Sequence, residues 1–274
     1  MRPAGRHPAL PRPLEGSAVA LAVPRWANEL GGGKLPGKTV RELEAVQRRL
    51  LQFFCVFDPL LDRDGSPAAN PAEIIPLLGG FHLGLSSFFD AHHAFWRDHR
   101  KLVVQQIESA HWEIVCRTRA PPAFDESLVR ALGRKLSLLR WPASAVAWLT
   151  GQPEAARSLD RIFDRLFRIL QLLDDITDIE KDRQSGQVNA VLCAAAAAPQ
   201  DGRPQLAVAV GVAKVCAAAR AELARIRQRV PAGGFARVCA DLDQSCSSAE
   251  EQAGKLAAYC VTASALDRVV AALA

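Results

Sequence analysis

The sequence predicts an all-α fold on three features. Apolar residues recur at helical spacing over long stretches, with hardly any strict apolar–polar alternation that would mark strands. Ala and Leu are abundant while aromatic residues make up only 6% of the chain. At 274 residues the chain is long enough to bury a substantial core, which favours one large helical domain.

Residues 1–38 are rich in Pro, Gly and Arg (RPAGRHPALPRP, then GGGKLPGK) and read as a disordered or loosely packed arm ahead of a helical domain over 39–274. Thr39 and Glu42 form a Thr-x-x-Glu capping box that opens a helix from Val40 to about Phe57. The acidic stretch FFCVFDPLLDRDG follows, with Asp58, Asp62 and Asp64. Pro59 lacks a backbone donor and disfavours helical geometry at Asp58, so the helix should kink or end there. Residues 65–80 read as a turn-rich crossing.

A long helical pattern covers about 83–117 and carries Asp90, His92, His93, Trp96, His99 and His111. It contains no HExxH arrangement and no Cys at metal spacing, so zinc is not indicated. Asp125 is placed to cap a helix running through Arg140, with Arg130, Arg134, Lys135 and Ser137 on it. Trp141-Pro142 marks a break, a short apolar piece reaches Leu149, and Gly151 with Pro153 sets the start of the next helix. After Gly186, the alanine run of VNAVLCAAAAAPQDGRP reads as core helix, followed by helices over about 205–230 and 235–273.

Residues 161–187, RIFDRLFRILQLLDDITDIEKDRQSGQ, organise the rest. Apolar positions 162, 163, 166, 169, 170, 173 and 176 predict one amphipathic helix, with no Gly or Pro before Gly186. Asp174, Asp178 and Asp182 are four apart, so their carboxylates share one face about a turn from each other. The same line continues backward through Leu170, Phe167 and Phe163, which suits a pocket with an apolar floor and an anionic mouth. Carboxylates this close favour protonation unless a cation sits between them, and Mg²⁺ is the natural one, held by carboxylates and substrate phosphates. Spacing alone equally allows a solvated acidic face. Leu51, Phe54, Asp58 and Asp62 follow the same intervals, so a second helix turns acidic along its apolar line and suggests a shared pocket.

The net charge of +5 is spread thinly outside Arg2, Arg6 and Arg12, with no basic stripe interleaved with aromatics. Nucleic acid is therefore not an expected partner, whereas a small anionic substrate fits. Seven cysteines (55, 116, 193, 216, 239, 246 and 260) stand singly in odd number, which points away from a disulfide framework and toward a reducing cytoplasm. No apolar run reaches the roughly 18 residues of a membrane span. Prolines occupy the place of a signal peptide's apolar core, so secretion is not expected.

QLLDDITDIEKDRQSG, residues 171–186, closely resembles the second aspartate-rich motif of the class I isoprenoid synthases. This all-α superfamily contains trans-prenyl diphosphate synthases, squalene-synthase-like enzymes and terpene cyclases. Gln171, Asp174, Asp175 and Asp178 match the Gln-x-x-Asp-Asp-x-x-Asp pattern of the prenyl diphosphate synthases. Asp174, Asp178 and Asp182, with Lys181, also fit the cyclase triad spacing. FDPLLD resembles the first motif, with Pro59 where a second Asp usually sits, and Asp58 and Asp174 stand 116 positions apart. The likeness spans most of residues 40–270 and is specific in the second motif.

The resemblance implies a helical bundle with a central apolar pocket. It implies several Mg²⁺ ions held by Asp58, Asp62, Asp174, Asp178 and Asp182, of which the first four would be catalytic. Diphosphate would be bound by Lys135, Arg134, Gln171, Lys181 and Arg183, and Phe54, Phe163, Phe167 and Leu170 would line the pocket around an allylic carbocation. For the three Phe residues plain core packing is the competing reading. The implied activity is a terpene synthase that ionises a linear prenyl diphosphate and then cyclises or eliminates. The absence of an Arg pair after FDPLLD disfavours condensation with isopentenyl diphosphate, while Gln171 favours it. A prenyltransferase and a catalytically inactive partner subunit are the alternatives. Many members are dimers, so the resemblance extends to a homodimer, and it places Lys255 and Tyr259 where many cyclases close over the diphosphate.

Overall fold

The computed structural model describes residues 16–62, 71–197, 204–230 and 233–273. Among the described residues every regular element is helical, and no helix is long and apolar enough to cross a membrane. In chain order the α-helices are α1 (Gly16–Leu30), α2 (Gly37–Asp62), α3 (Pro71–Ser86), α4 (Phe95–Cys116), α5 (Glu126–Arg134) and α6 (Trp141–Leu149). They continue as α7 (Ala156–Thr177), α8 (Ile179–Ser185), α9 (Ala190–Ala196), α10 (Pro204–Arg227) and α11 (Gly234–Leu273). Short 3₁₀ turns at Ser137–Arg140 and Pro153–Ala155 flank α6.

Helix α7 is the axis of the packing. Its buried residues, from Leu159 through Phe163, Leu166, Phe167 and Leu170 to Ile176, extend around more of the helix than one stripe. That pattern marks a helix surrounded by others, and α5, α6, α9, α10, α1 and α11 all pack on it. Phe163 stands edge-on to Phe235, which stands edge-on to Trp26, so α7, α11 and α1 meet through an aromatic chain.

Part of the expected arm is ordered helix. Val19, Ala20, Val23, Trp26 and Ala27 of α1 are buried at helical spacing, and α1 packs on α2 and α6. The Pro, Gly and Arg that suggested a loose arm are concentrated on either side of this apolar stretch; residues 1–15 lie outside the described residues. Pro24 has no N–H to give to the carbonyl of Ala20 one turn back. The buried Gln47 supplies the missing donor, its Nε2 donating to Ala20 O at 3.0 Å and to Leu139 O at 3.1 Å.

Other boundaries differ from the sequence expectation for local reasons. Helix α2 starts at Gly37, ahead of Thr39, and continues past Pro59 to Asp62. Residues 71–80, expected as turns, belong to α3, because Ile74, Leu77, Leu78, Phe81 and Leu85 pack against the core. The expected helix over 83–117 is interrupted between α3 and α4. There the Asp90 carboxylate accepts from His92 N at 3.0 Å, the Trp96 indole N–H donates to Asp90 O at 2.7 Å, and Phe89 stacks on Phe95 at 4.0 Å. Asp125 caps α5 as expected, accepting from Leu128 N at 2.9 Å. That helix stops at Arg134, whose carbonyl accepts from Ser137 Oγ at 2.8 Å, and a 3₁₀ turn takes the place of its expected last turns.

The single helix expected over 161–187 is two. Asp178, at φ −100° and ψ 10°, separates α7 from α8. The Thr177 hydroxyl donates to Asp174 O at 2.8 Å and competes with the backbone at this point. The one-turn bonds Asp178 N to Asp174 O and Asp182 N to Asp178 O persist at 3.0 and 2.8 Å, so the spacing of the three aspartates survives the bend. Gly186, at φ +69°, then ends α8 in the left-handed conformation that glycine adopts without strain.

Candidate functional site

The second acidic motif lies where α7, α8 and α9 meet, and its four aspartates divide into two outward and two inward groups. Asp174 is exposed and Asp178 half-buried, whereas Asp175 and Asp182 are buried. Consecutive residues on a helix point about 100° apart, so Asp174 and Asp175 cannot serve the same surface.

Asp175 fastens α9 to α7. Its carboxylate accepts from Ala190 N at 2.6 Å and from the Gln171 amide at 2.8 Å. Burial pushes its pKa up to about 7, against the lowering effect of Lys135 and of those two hydrogen bonds. Asn189 ties the remaining groups together. Its Nδ2 donates to Asp175 O at 2.7 Å and to Asp182 Oδ2 at 2.8 Å, while its Oδ1 accepts from Val191 N at 2.9 Å and Leu192 N at 3.2 Å to cap α9. Asp182 is raised mainly by burial, and the Asn189 bond pulls it back.

Asp174 is raised to about 6, first by the packed surroundings of its carboxyl group and next by Asp178. Lys135 opposes the shift, Asp182 adds to it and Lys181 opposes it again. The residue is nevertheless open to solvent, and water there offsets part of the burial. Lys181 Nζ stands 4.0 Å from Asp178 Oδ2, with its side chain 53% exposed. The Lys135 ammonium is bonded to Glu113 Oε1 at 2.9 Å and is still close enough to lower Asp174, Asp175 and Asp182.

The structure therefore brings together Asp174, Asp178, Asp182, Lys135 and Lys181. Gln171 is buried with its amide on Asp175 and belongs to the α7–α9 fastening; it does not sit at the open face. Arg134 is exposed at the end of α5, and Arg183 is exposed and paired with Glu180 on α8. Phe54, Phe163, Phe167 and Leu170 are buried members of the core. Asp58 and Asp62 stand in the last turns of α2, but their side chains lie outside the described residues, as does all of Asp64. Tyr259 is exposed on α11, and Lys255 pairs with Glu251 at 2.6 Å.

Among the described residues no three His, Cys, Asp or Glu side chains are gathered as a metal-holding group. The chemistry of the donors still fits Mg²⁺: Asp174 and Asp178 offer outward carboxylate oxygens, and Asp178 raises the proton affinity of Asp174. Mg²⁺ is usually held by one or two carboxylates together with phosphate oxygens and water. Asp182, with one oxygen committed to Asn189, has less to give.

Two residues of this site escaped the sequence reading. Asn189 had a readable signal, being a favoured capping residue directly before an apolar run. Glu113 had none, because its role depends on α4 crossing α5 about 22 positions away. The chain matches no family model, no curated protein and no solved structure.

Proposed function

We propose that this chain is a Mg²⁺-dependent enzyme acting on allylic prenyl diphosphates, with the diphosphate held at the exposed end of α7. One observation carries the reading: Asp174 and Asp178 stand outward at the end of α7 near Lys135 and Lys181, on the helical line that carries the apolar Phe163, Phe167 and Leu170 further back. The carboxyl of Asp174 is raised first by its packed surroundings and next by Asp178, and a cation bound between the two carboxylates would relieve that repulsion.

Asp174 and Asp178 would supply oxygen ligands, with Asp182, Asp58 and Asp62 as the further acidic groups of the two motifs. Bound Mg²⁺ would neutralise charge on the leaving diphosphate. Lys135 and Lys181 would neutralise phosphate oxygens beside the carboxylates, and the exposed Arg134 and Arg183 would add positive charge. The carbon–oxygen bond of the substrate breaks with its electron pair going to the diphosphate. The allylic cation left behind is consumed by attack of a double bond or by loss of a proton. Phe54, Phe163, Phe167 and Leu170 are the apolar groups on the two acidic helices that would keep water from that cation.

A second reading, a non-catalytic partner subunit, is favoured by Asp175 and Asp182, which are built into the attachment of α9 and do not face out. The test is release of diphosphate from geranyl, farnesyl and geranylgeranyl diphosphate with Mg²⁺, each with and without isopentenyl diphosphate. Release from an allylic substrate alone, with hydrocarbon or alcohol product, is expected of the terpene synthase. Release only with isopentenyl diphosphate would reassign the chain as a prenyltransferase, and no release under either condition would favour the partner subunit.

A further inference from the structure

Helix α4 carries three side chains on one face, Gln106, Ser109 and Glu113, whose spacing of three and four places them in a line along the helix. All three grip the end of α5. Gln106 takes the backbone on both sides of the turn: its amide nitrogen donates to Lys135 O, and its amide oxygen accepts from Leu138 N at 3.3 Å. Ser109 Oγ donates to Ala131 O at 2.9 Å. Glu113 takes the Lys135 ammonium at 2.9 Å. Lys135, the residue directly after α5, is thus held by its main chain and by its charged head from the same helix.

Glu113 is a buried carboxylate, with its side chain 8% exposed, that has two cations within reach. Arg117 NH2 stands 3.9 Å from the oxygen that binds Lys135. A buried carboxylate that loses its one partner is costly, so a second cation lets Lys135 leave without stranding the charge. Lys135 is also the cation that lowers the pKa of Asp174, Asp175 and Asp182. It lies between a holder and the outward acidic face.

We propose that Glu113 is a positioning residue for Lys135: while Gln106 fixes the Lys135 main chain, Glu113 holds the ammonium near the aspartate face, from which the ammonium transfers to an incoming diphosphate while Arg117 compensates Glu113. This role rests on the diphosphate reading of the site. The physical advantage is entropic. An unrestrained lysine loses side-chain freedom when it is ordered on a ligand, and a lysine already held near its ligand has lost that freedom beforehand.

Two measurements on Glu113→Gln test it. The first is acetylation of lysines in the full chain, read peptide by peptide by mass spectrometry. Lys135 is expected to react several-fold more slowly than Lys181 in the wild type and about as fast as Lys181 in the variant, with Lys181 unchanged, as expected for an ammonium released into water. Unchanged protection of Lys135 in the variant would overturn the proposal, whatever the site binds. The second is binding of inorganic pyrophosphate with Mg²⁺. Glu113→Gln is expected to weaken it about fivefold to tenfold in the wild-type background and not at all in a Lys135→Met background, because positioning acts only through the lysine. Equal weakening in both backgrounds would assign Glu113 a general structural role and overturn the proposal. Failure of the wild type to bind pyrophosphate would sink the diphosphate reading, while lysine labelling still decides what Glu113 does. Glu113→Asp, which keeps the charge beside Arg117 but withdraws it from Lys135, provides a second variant should Glu113→Gln not fold.

Discussion

Replacing Asn189 with Ala removes four hydrogen bonds from a residue that is 1% exposed. The two bonds that cap α9 are together expected to cost about 1 kcal/mol. The bond to the Asp175 carbonyl costs about 1 kcal/mol and the charge-assisted bond to Asp182 roughly 1.5–3 kcal/mol, since the buried carboxylate is left without that donor. The expected destabilisation is about 3–5 kcal/mol, which in a domain of this size lowers the unfolding midpoint by roughly 10 °C. Thermal unfolding followed by circular dichroism at 222 nm measures it. The loss should also grow with pH. Asn189 lowers the pKa of Asp182, so its removal penalises the ionised form and costs more at pH 8 than at pH 5. A loss below about 1 kcal/mol, the worth of the cap alone, would refute the view that Asn189 joins α7, α8 and α9 into one unit.

Asp175 provides a pH test. Its folded pKa of about 7 exceeds the usual carboxylate value, so the folded chain holds a proton that the unfolded chain releases near about pH 4. This contribution is complete below that pH and is lost as pH rises toward 7, with Asp174 acting in the same direction. Asp175→Asn should therefore show a flatter midpoint between pH 5 and 8 than the wild type; equal slopes would contradict the assignment. Glu222 is buried among Arg165, Arg168 and Arg225, and Glu222→Gln should lower stability by about 3 kcal/mol or more in denaturant unfolding, because three guanidinium groups lose their shared anion. Gly211 lets α10 approach α9 so closely that an added Cβ would sit 2.5 Å from Val191 O. Gly211→Ala should cost about 1–3 kcal/mol by the same unfolding measurement, despite alanine's higher helix propensity, and a stabilising effect would show that the two helices can separate.

The all-helical fold was legible because long segments such as 156–177 carry strong 3.6-residue periodicity. The helix ends were less so. Pro59 read as a kink or an end, yet α2 runs on to Asp62; Pro24 lies in the stretch read as a loose arm, yet α1 runs through it because Gln47, distant in sequence, donates to the carbonyl that Pro24 leaves without a partner. The reverse happened at Asp178, where no Gly or Pro announces a bend and the helix divides at a residue flanked by Thr177. In the site, spacing identified the shared face of Asp174, Asp178 and Asp182. It did not identify that Asp182 turns to Asn189 or that Gln171 turns to Asp175, because both depend on α9 folding back against α7. Lys135 was singled out from sequence, whereas its holder Glu113 belongs to a helix whose histidines drew attention instead. Of these, His99 is a buried ring among Phe81, Phe95 and Trp96, with its pKa lowered to about 4 mainly by burial.

The central claim is that the exposed end of α7 binds a diphosphate through a divalent cation. Its most direct test is calorimetric titration of the full chain with inorganic pyrophosphate, with and without Mg²⁺, in the wild type and in Asp174→Ala. The account predicts binding that requires Mg²⁺ and is lost in Asp174→Ala while the unfolding midpoint stays within a few degrees, since this exposed side chain is outside the α7–α9 fastening. Binding that persists in Asp174→Ala, or that is equally tight without Mg²⁺, would contradict it.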